Sequence, residues 1–181
     1  MSEKYKFRDP EGLYFVTCTV VHWIDLFTRK EFKHLLIDSL KHCQMKKGLI
    51  IHSWVLMPSH LHLIISTKQD PLEGIMRDFK KFTSREIIKC MAVINESRQE
   101  WLMRAFKKSS QKLQRVKSHK VWQDGNHPIL LDNNKIQQEK VDYIHINPVE
   151  AEIVDEPENF RYSSARNYAG KPGLLEVVLL E

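Results

Sequence analysis

The chain has 181 residues, of which 42% are hydrophobic and 28% are charged. This composition is ordinary for a globular protein and too apolar for a disordered one. The formal net charge of +5 and the isoelectric point near 9.0 favour an anionic partner, most commonly nucleic acid.

Neither a signal peptide nor a membrane span is indicated, because no apolar run approaches the roughly 20 residues that a span requires. The cysteines Cys18, Cys43 and Cys90 are odd in number and never form a C-x-x-C pair. They therefore indicate neither a disulfide framework nor a zinc knuckle. We expect a soluble cytoplasmic protein that has no membrane partner.

The first third of the chain predicts a strand followed by a helix. Residues 13–24 are rich in β-branched and aromatic side chains and follow a turn signal at Gly12. From Lys30 to about Lys47 apolar residues recur at helical spacing, and Gly48 stands where a helix commonly ends.

A β-hairpin and a long helix are predicted next. Two extended runs, 49–57 and 61–67, flank a Pro-Ser turn. Asp70 as N-cap, then Pro71 and a capping-box Glu73, predict the start of the helix. Its apolar stripe comprises Leu72, Ile75, Met76, Phe79, Phe82, Ile87, Met91 and Ile94.

The rest of the chain combines a basic segment with a short strand and a last helix. Residues 104–120 carry seven Lys and Arg and no acid, which predicts a weakly packed connection. Residues 121–131 predict a turn and a short strand. Asn134 opens the last helix, which we expect to end at about Ile146 because Pro148 follows.

This succession of elements predicts an α+β fold. We expect helices packed on a mainly antiparallel sheet, for which the ferredoxin-like (RRM-like) topology is one solution. No internal repeat or shift in composition divides the chain, so we expect one domain over residues 1–181.

The pair His60 and His62 is a candidate metal site. Side chains alternate along a strand, so both imidazoles project from one side while Leu61, Leu63 and Ile65 project from the other. Neutral imidazole is a common metal ligand. On the pattern alone, two polar histidines on a half-exposed strand remain the simpler interpretation.

Tyr143 and Asn147 are a second candidate pair. Four residues apart on a helix, they share one face, so the Asn147 amide can complete a metal site beside the Tyr143 phenol. A phenol is a suitable nucleophile when the covalent product must be reversible. The spacing alone favours a packed tyrosine and a helix-ending asparagine.

Three segments resemble the single-tyrosine HUH transposases and, within them, the REP-associated tyrosine transposases. The segments are GLYFVTCTV at 12–20, WVLMPSHLHLII at 54–65, and VDYIHINPVEAEIV at 141–154 with Tyr162-Ser163-Ser164 behind it. Together they cover a core from about residue 12 to about residue 168.

The resemblance implies a ferredoxin-like enzyme that recognises hairpins in single-stranded DNA and cleaves nearby through a 5′-phosphotyrosine link, leaving a free 3′-hydroxyl. Carried over by motif, Tyr143 is the nucleophile, and His60, His62 and Asn147 bind Mg²⁺ or Mn²⁺. A DNA transposase of this type is expected in the cytoplasm, associated with the nucleoid. Glu150 and Glu152 depart from the family, which usually carries a basic residue and a glycine at those positions.

Several side chains are candidate DNA contacts. Basic residues can neutralise phosphates, and aromatic rings can stack on unpaired bases. The candidates are Lys80, Lys81, Arg85, Lys107, Lys108, Trp122 and His127. Core packing is the other interpretation of Trp122, and His145 is a candidate for proton transfer.

Two other functions remain open at this point. One is a non-catalytic DNA-hairpin-binding protein of domesticated transposase origin. The other is a metal phosphoesterase that uses the histidine pair with water as nucleophile. A homodimer and a monomer are both compatible with the sequence.

Overall fold

The computed structural model of the protein describes residues 6–110 and 119–180. At its centre is a four-stranded antiparallel sheet in the order β2-β3-β1-β4. The strands are β1 (Tyr14–Thr19), β2 (Leu49–Leu56), β3 (His60–Thr67) and β4 (Ile129–Leu130). The helices are α1 (Lys30–Lys47), α2 (Leu72–Val93), α3 (Gln99–Ser110), α4 (Asn134–Glu150) and α5 (Ala165–Tyr168). This order is that of the ferredoxin-like topology and confirms the predicted α+β fold.

Helices cover both faces of the sheet. The larger core lies under α1, α2 and α3, where Phe32, Trp54 and Phe106 are fully buried. A smaller cluster lies between the sheet and α4; it contains Phe15, Val55, Met57, Ile64, Leu131, Val141 and Ile144. None of the helices in the described part of the chain is long and apolar enough to cross a membrane.

The predicted first helix and hairpin are confirmed. Helix α1 ends at Gly48, which has a φ of 70°. A Cβ atom there would also lie 2.9 Å from the backbone nitrogen of Gln69, so this turn requires glycine. Strands β2 and β3 pair antiparallel across the Pro58-Ser59 turn.

The strand predicted over 13–24 is shorter than expected. It ends at Thr19, and Val21–Trp23 form a 3₁₀ turn instead. His22 and Trp23 there have φ values of 58° and 57°. The β-branched and aromatic composition did not reveal this turn, because no Gly or Pro marks it.

The start of α2 differs from the prediction by one residue. Pro71 occupies the N-cap position and no side chain caps the helix, so Asp70 is not a cap. The Asp70 carbonyl instead accepts a hydrogen bond from the Thr67 hydroxyl (2.9 Å). Phe82, predicted on the apolar stripe, is 46% exposed, and Thr83 is buried in its place.

The first part of the basic segment, residues 104–110, is better packed than predicted. Residues 104–110 belong to α3, whose Leu102 and Phe106 are fully buried. A helix with two such anchors is part of the core. Residues 111–118, which contain Lys112, Arg115 and Lys117, lie outside the described residues.

Helix α4 continues past its predicted end. Its cap is Asn133, whose side chain accepts a hydrogen bond from the Ile136 backbone nitrogen (3.0 Å). Pro148 lies inside the helix, two residues before its last residue, Glu150, although proline removes one helical hydrogen bond. The chain turns at Glu152, which has a φ of 55°.

The outer edge of β2 is covered by the C-terminal part of the chain. Leu56 donates its backbone N–H to the Tyr162 carbonyl, and Ser164 donates to the Trp54 carbonyl, both at 2.9 Å. Farther along, Val178 donates to the Ile51 carbonyl at 3.0 Å. Three backbone groups on the outer edge of β2, those of Leu56, Trp54 and Ile51, are therefore paired.

Candidate active site

Strand β3 places His60 and His62 on the sheet face that α4 covers. The centroids of the two rings are 4.6 Å apart, with an angle of 71° between the ring planes. Leu61, Leu63 and Ile65 belong to the core on the opposite face. The predicted alternation of this strand is confirmed.

His62 is held as a neutral imidazole. It is 5% exposed, and its Nδ1 is 2.9 Å from the Thr17 hydroxyl on β1, directly opposite in the sheet. Burial first, then His60 and Lys140, lower the pKa of His62 to about 3. Its buried Nε2 has no hydrogen-bond partner among the described residues. A buried nitrogen without a partner is costly, so a water, an ion or another ligand is expected to bind it.

His60 lies closer to the surface and contacts Asn147. Its Nδ1 is 3.1 Å from the Ser59 hydroxyl. Burial lowers the pKa of His60, and a hydrogen bond with the Asn147 side chain opposes that shift. The Asn147 amide nitrogen donates to the Tyr143 carbonyl (2.8 Å), so its amide oxygen is the atom suited to a cation.

Tyr143 completes the group from α4, one helical turn before Asn147. Its side chain is 41% exposed. The ring centroid is 5.3 Å from that of His62 and 6.0 Å from that of Phe15, in edge-to-face arrangements. The phenol is thus held beside the histidine pair while remaining open to solvent.

The donor set suits a divalent cation that brings an anionic ligand with it. Among the described residues, no three His, Cys, Asp or Glu side chains converge where they could hold a metal ion. His60, His62 and Asn147 instead offer two imidazole nitrogens and one amide oxygen. The unpartnered Nε2 of His62 fits a metal ligand. Imidazole nitrogens suit ions such as Zn²⁺, Fe²⁺ and Ni²⁺, whereas the amide oxygen of Asn147 suits Mg²⁺ or Mn²⁺. A set without a carboxylate leaves the negative charge to be supplied by the substrate.

Three residues of the site were missed in the sequence, and the first two are Lys140 and Thr17. Lys140 lies one turn before Tyr143, with its ammonium 5.4 Å from that ring centroid and 5.0 Å from that of Phe15. Its spacing of three residues from Tyr143 was a usable signal. The sequence held no signal for Thr17, because its contact with His62 depends on the register of two strands.

Trp23 is a third missed residue. Its side chain is 62% exposed, and its ring centroid is 5.6 Å from that of His60, at an interplanar angle of 73°. It lies in the 3₁₀ turn that follows β1. The site is therefore flanked by Tyr143 at one end and Trp23 at the other.

Lys80 does not present a free charge to DNA. Its ammonium donates hydrogen bonds to the carbonyls of Gln123 (2.7 Å) and Gly125 (2.6 Å) and to the Asn126 side chain (3.2 Å). Burial lowers the pKa of this lysine. Its position corrects the predicted phosphate contact: Lys80 fastens the loop that leads to β4.

Trp122 also differs from its predicted DNA-binding role. The ring is 3% exposed and packs against Phe27 and Phe79, with its indole N–H donated to Thr83 (2.9 Å). A buried ring cannot stack on a base without unfolding its surroundings. The alternative interpretation, core packing, is the one that fits.

The remaining candidates lie on the surface. These are Lys81, Arg85, Lys107, Lys108 and His127. Arg85 pairs with Glu86 at 2.8 Å and lies over the exposed Phe82 ring. Each of these basic side chains is accessible to a phosphate.

The His145 ring bonds and packs against residues other than the nucleophile. Its Nε2 is 2.9 Å from the Ser164 hydroxyl and 3.2 Å from that of Ser53, and its ring packs on Tyr168. Burial lowers the pKa of His145 to about 4. These contacts hold α4 on β2 and do not support a role in proton transfer at Tyr143.

A shallow groove of about 520 Å³ runs along α4 on the other flank of Tyr143. Its lining includes the carboxylates of Glu139, Asp142 and Glu158. Three acids at one surface repel phosphates. This flank of Tyr143 therefore disfavours anionic ligands, whereas the Lys140 ammonium lies near the Tyr143 ring.

The comparisons with known proteins agree with the fold. No protein-family model and no curated protein matches this sequence. Among solved structures the chain is similar to a REP-associated tyrosine transposase bound to a REP hairpin, with a TM-score of 0.62 and 21% sequence identity. The match covers 100% of this chain and 94% of that chain. The likeness establishes a shared fold over the full length of the chain.

Proposed function

We propose that the protein cleaves and rejoins single-stranded DNA beside hairpins, with Tyr143 as the nucleophile. The observation that carries this proposal is the meeting of two features at one point. An exposed phenol lies 5.3 Å, ring to ring, from a buried histidine whose Nε2 has no partner among the described residues. The fold shared with a hairpin-bound tyrosine transposase supports DNA as the substrate.

In the proposed reaction, the Tyr143 oxygen attacks the scissile phosphorus. A bond forms between that oxygen and phosphorus, and the bond from phosphorus to the 3′-oxygen breaks. Water takes the phenol proton, since the ring is open to solvent, and the departing 3′-oxygen gains a proton from water. The products are a 5′-phosphotyrosine and a free 3′-hydroxyl, and the reverse attack rejoins the strand.

The surrounding residues bind and orient. His60, His62 and Asn147 would hold a divalent cation, Mg²⁺ or Mn²⁺, which when bound polarises the scissile phosphate. The Thr17 hydroxyl fixes the orientation of the His62 ring. The Lys140 ammonium lies close enough to the Tyr143 ring to pair with a phosphate oxygen.

Exposed cations away from the centre would hold the rest of the DNA. Lys81, Arg85, Lys107 and Lys108 lie on α2 and α3, and contacts of this kind make binding depend on salt. An enzyme of this type would act in the cytoplasm, at the nucleoid.

A denaturing-gel assay tests the proposal. Labelled hairpins with single-stranded tails, taken from the flanks of the gene, are incubated with wild type or Tyr143→Phe, with and without Mg²⁺ or Mn²⁺. We expect a protein–DNA adduct that requires the metal and is absent in Tyr143→Phe. Tyr162→Phe, which changes a tyrosine outside the site, is the matched control and should form the adduct.

Two other results would replace the proposal. Cleavage without an adduct that persists in Tyr143→Phe would identify a phosphoesterase that uses water. Tight, salt-sensitive hairpin binding with no cleavage in either metal would identify a non-catalytic hairpin-binding protein.

A further inference from the structure

The turn after β1 holds an exposed tryptophan against the candidate metal site. Trp23 is 62% exposed although it is a large apolar residue, and its ring lies edge-to-face with His60 at 5.6 Å. The rings of Tyr143, His62, His60 and Trp23 form a continuous row of neighbours. Tyr143 is at one end of this row and Trp23 at the other.

The backbone under Trp23 is held in an unfavourable conformation. Two successive residues, His22 and Trp23, have left-handed φ values of 58° and 57°, which bulky residues rarely adopt. The turn is fastened on both sides: Val21 donates its N–H to the Val121 carbonyl (2.8 Å), and the His22 ring bonds the Ser109 hydroxyl (2.9 Å). Strain that the surroundings maintain is typical of ligand-binding positions.

We infer that Trp23 is a stacking platform for an unpaired base of the DNA strand at the cleavage site. The inference rests on the function proposed above and adds a base-binding position to it. A tryptophan face gives stacking energy with any base and needs no hydrogen-bond readout. The occupant is the base of the nucleotide that carries the departing 3′-oxygen.

The order of the rings selects that nucleotide. In phosphoryl transfer the attacking and leaving oxygens lie roughly in line on opposite sides of phosphorus. Attack comes from Tyr143, so the 3′-oxygen departs away from Tyr143, toward the Trp23 end of the row. The acidic groove on the other flank of Tyr143 disfavours the opposite path. A base stacked on Trp23 would keep the free 3′-hydroxyl in place for rejoining.

Binding is measured in the Tyr143→Phe background, which prevents cleavage, using the labelled flanking hairpins in Mn²⁺. Loss of one stacked base weakens binding by about 5- to 150-fold, and we expect a loss in this range for Trp23→Ala. Trp23→Phe should recover most of the affinity, because it keeps a ring. Trp101→Ala, which removes another exposed tryptophan on α3, should bind normally.

A variant that lacks the side chain but relieves the backbone separates binding from folding. Trp23→Gly should bind as weakly as Trp23→Ala and melt at the same or a higher temperature than the parent. A melting temperature that falls in Trp23→Gly would overturn the inference in favour of a structural role. Unchanged DNA affinity in Trp23→Ala would overturn it as well.

An abasic scan locates the base and keeps the two proposals distinguishable. When the nucleotide 5′ of the cleaved phosphate is abasic, we expect Trp23→Ala to cause no further loss of DNA affinity. When any other position is abasic, Trp23→Ala should weaken binding as much as it does on the intact DNA. Coupling at a different nucleotide, or at none, refutes the assignment. The Tyr143-dependent adduct of the wild type locates the cleaved phosphate and is scored separately. Absence of the adduct refutes the proposed function, whereas an adduct with unchanged affinity in Trp23→Ala refutes the stacking contact alone.

Discussion

Thr17→Val tests the arrangement of the candidate metal site without touching a ligand. The Thr17 hydroxyl is 2.9 Å from Nδ1 of His62, and Nε2 of that ring has no partner among the described residues. For Nε2 to offer a lone pair to a cation, the proton must reside on Nδ1 and be donated to Thr17. Valine has a similar shape but no acceptor.

Two effects should follow from the lost acceptor. Removal of an outer hydrogen bond to a metal-binding histidine lowers metal affinity by about 10- to 100-fold. The unpaired Nδ1–H also costs about 1–3 kcal/mol of folding free energy, which for a chain of this size lowers Tm by roughly 2–4 °C per kcal/mol. Valine suits a strand, so we expect the fold to persist.

Binding of Mn²⁺ is followed by loss of the EPR signal of the free ion, and Tm by circular dichroism. Ser66→Ala is the matched control, because it removes a hydroxyl 2.8 Å from another histidine of the sheet, His52. It should leave Mn²⁺ affinity unchanged, and Thr17→Ser should restore the affinity lost in Thr17→Val. Equal Mn²⁺ affinity in Thr17→Val and wild type would refute the reasoning.

Three further outcomes are expected. Lys140→Gln should weaken hairpin binding and reduce the slope of log affinity against log salt by about 0.7, the value for one phosphate contact on a single strand. The control Lys135→Gln, on the first turn of α4, should leave both affinity and slope unchanged. Equal slopes in Lys140→Gln and wild type would contradict the phosphate contact. Burial raises the pKa of Glu96, but hydrogen bonds from Arg29 and a second arginine outweigh it and lower that pKa to about 2. Because this pKa lies below its ordinary 4.5, the ionised carboxylate stabilises the fold fully above pH 4.5, and that stabilisation is lost as the pH falls toward 2. In urea unfolding, the free energy of unfolding of Glu96→Gln should therefore decline less between pH 4.5 and 2 than that of wild type. Glu152→Gly should stabilise the protein by about 1 kcal/mol, because glycine adopts the left-handed φ of 55° without strain. The control Glu152→Ala retains the backbone strain. An equal gain in Tm in both variants would identify removal of the Glu152 charge as the cause.

Local patterns predicted much of the fold. The bounds of α1 follow from apolar spacing and Gly48, and the hairpin follows from two extended runs around Pro58. These features depend on neighbours along the chain. The same holds for two parts of the site: His60 and His62 share a face because strands alternate.

Contacts between distant segments could not be predicted in this way. Thr17 and His62 are 45 residues apart, and they are in contact only because β1 and β3 pair in the register that places them opposite each other. Lys80 looks like a surface cation in the helical pattern, yet carbonyls from the loop before β4 surround its ammonium. The fate of such a residue depends on which segment packs over it.

The covered edge of β2 bears on how copies of this protein can associate. An open edge strand is a template for pairing with a strand of another molecule. Here backbone groups near Tyr162, Ser164 and Val178 already occupy that template. Extension of the sheet from one copy into the next on this side would require the C-terminal segment to peel away first. Proteolytic cleavage that released this segment would expose the unpaired edge of β2, and the protein would then aggregate through strand pairing.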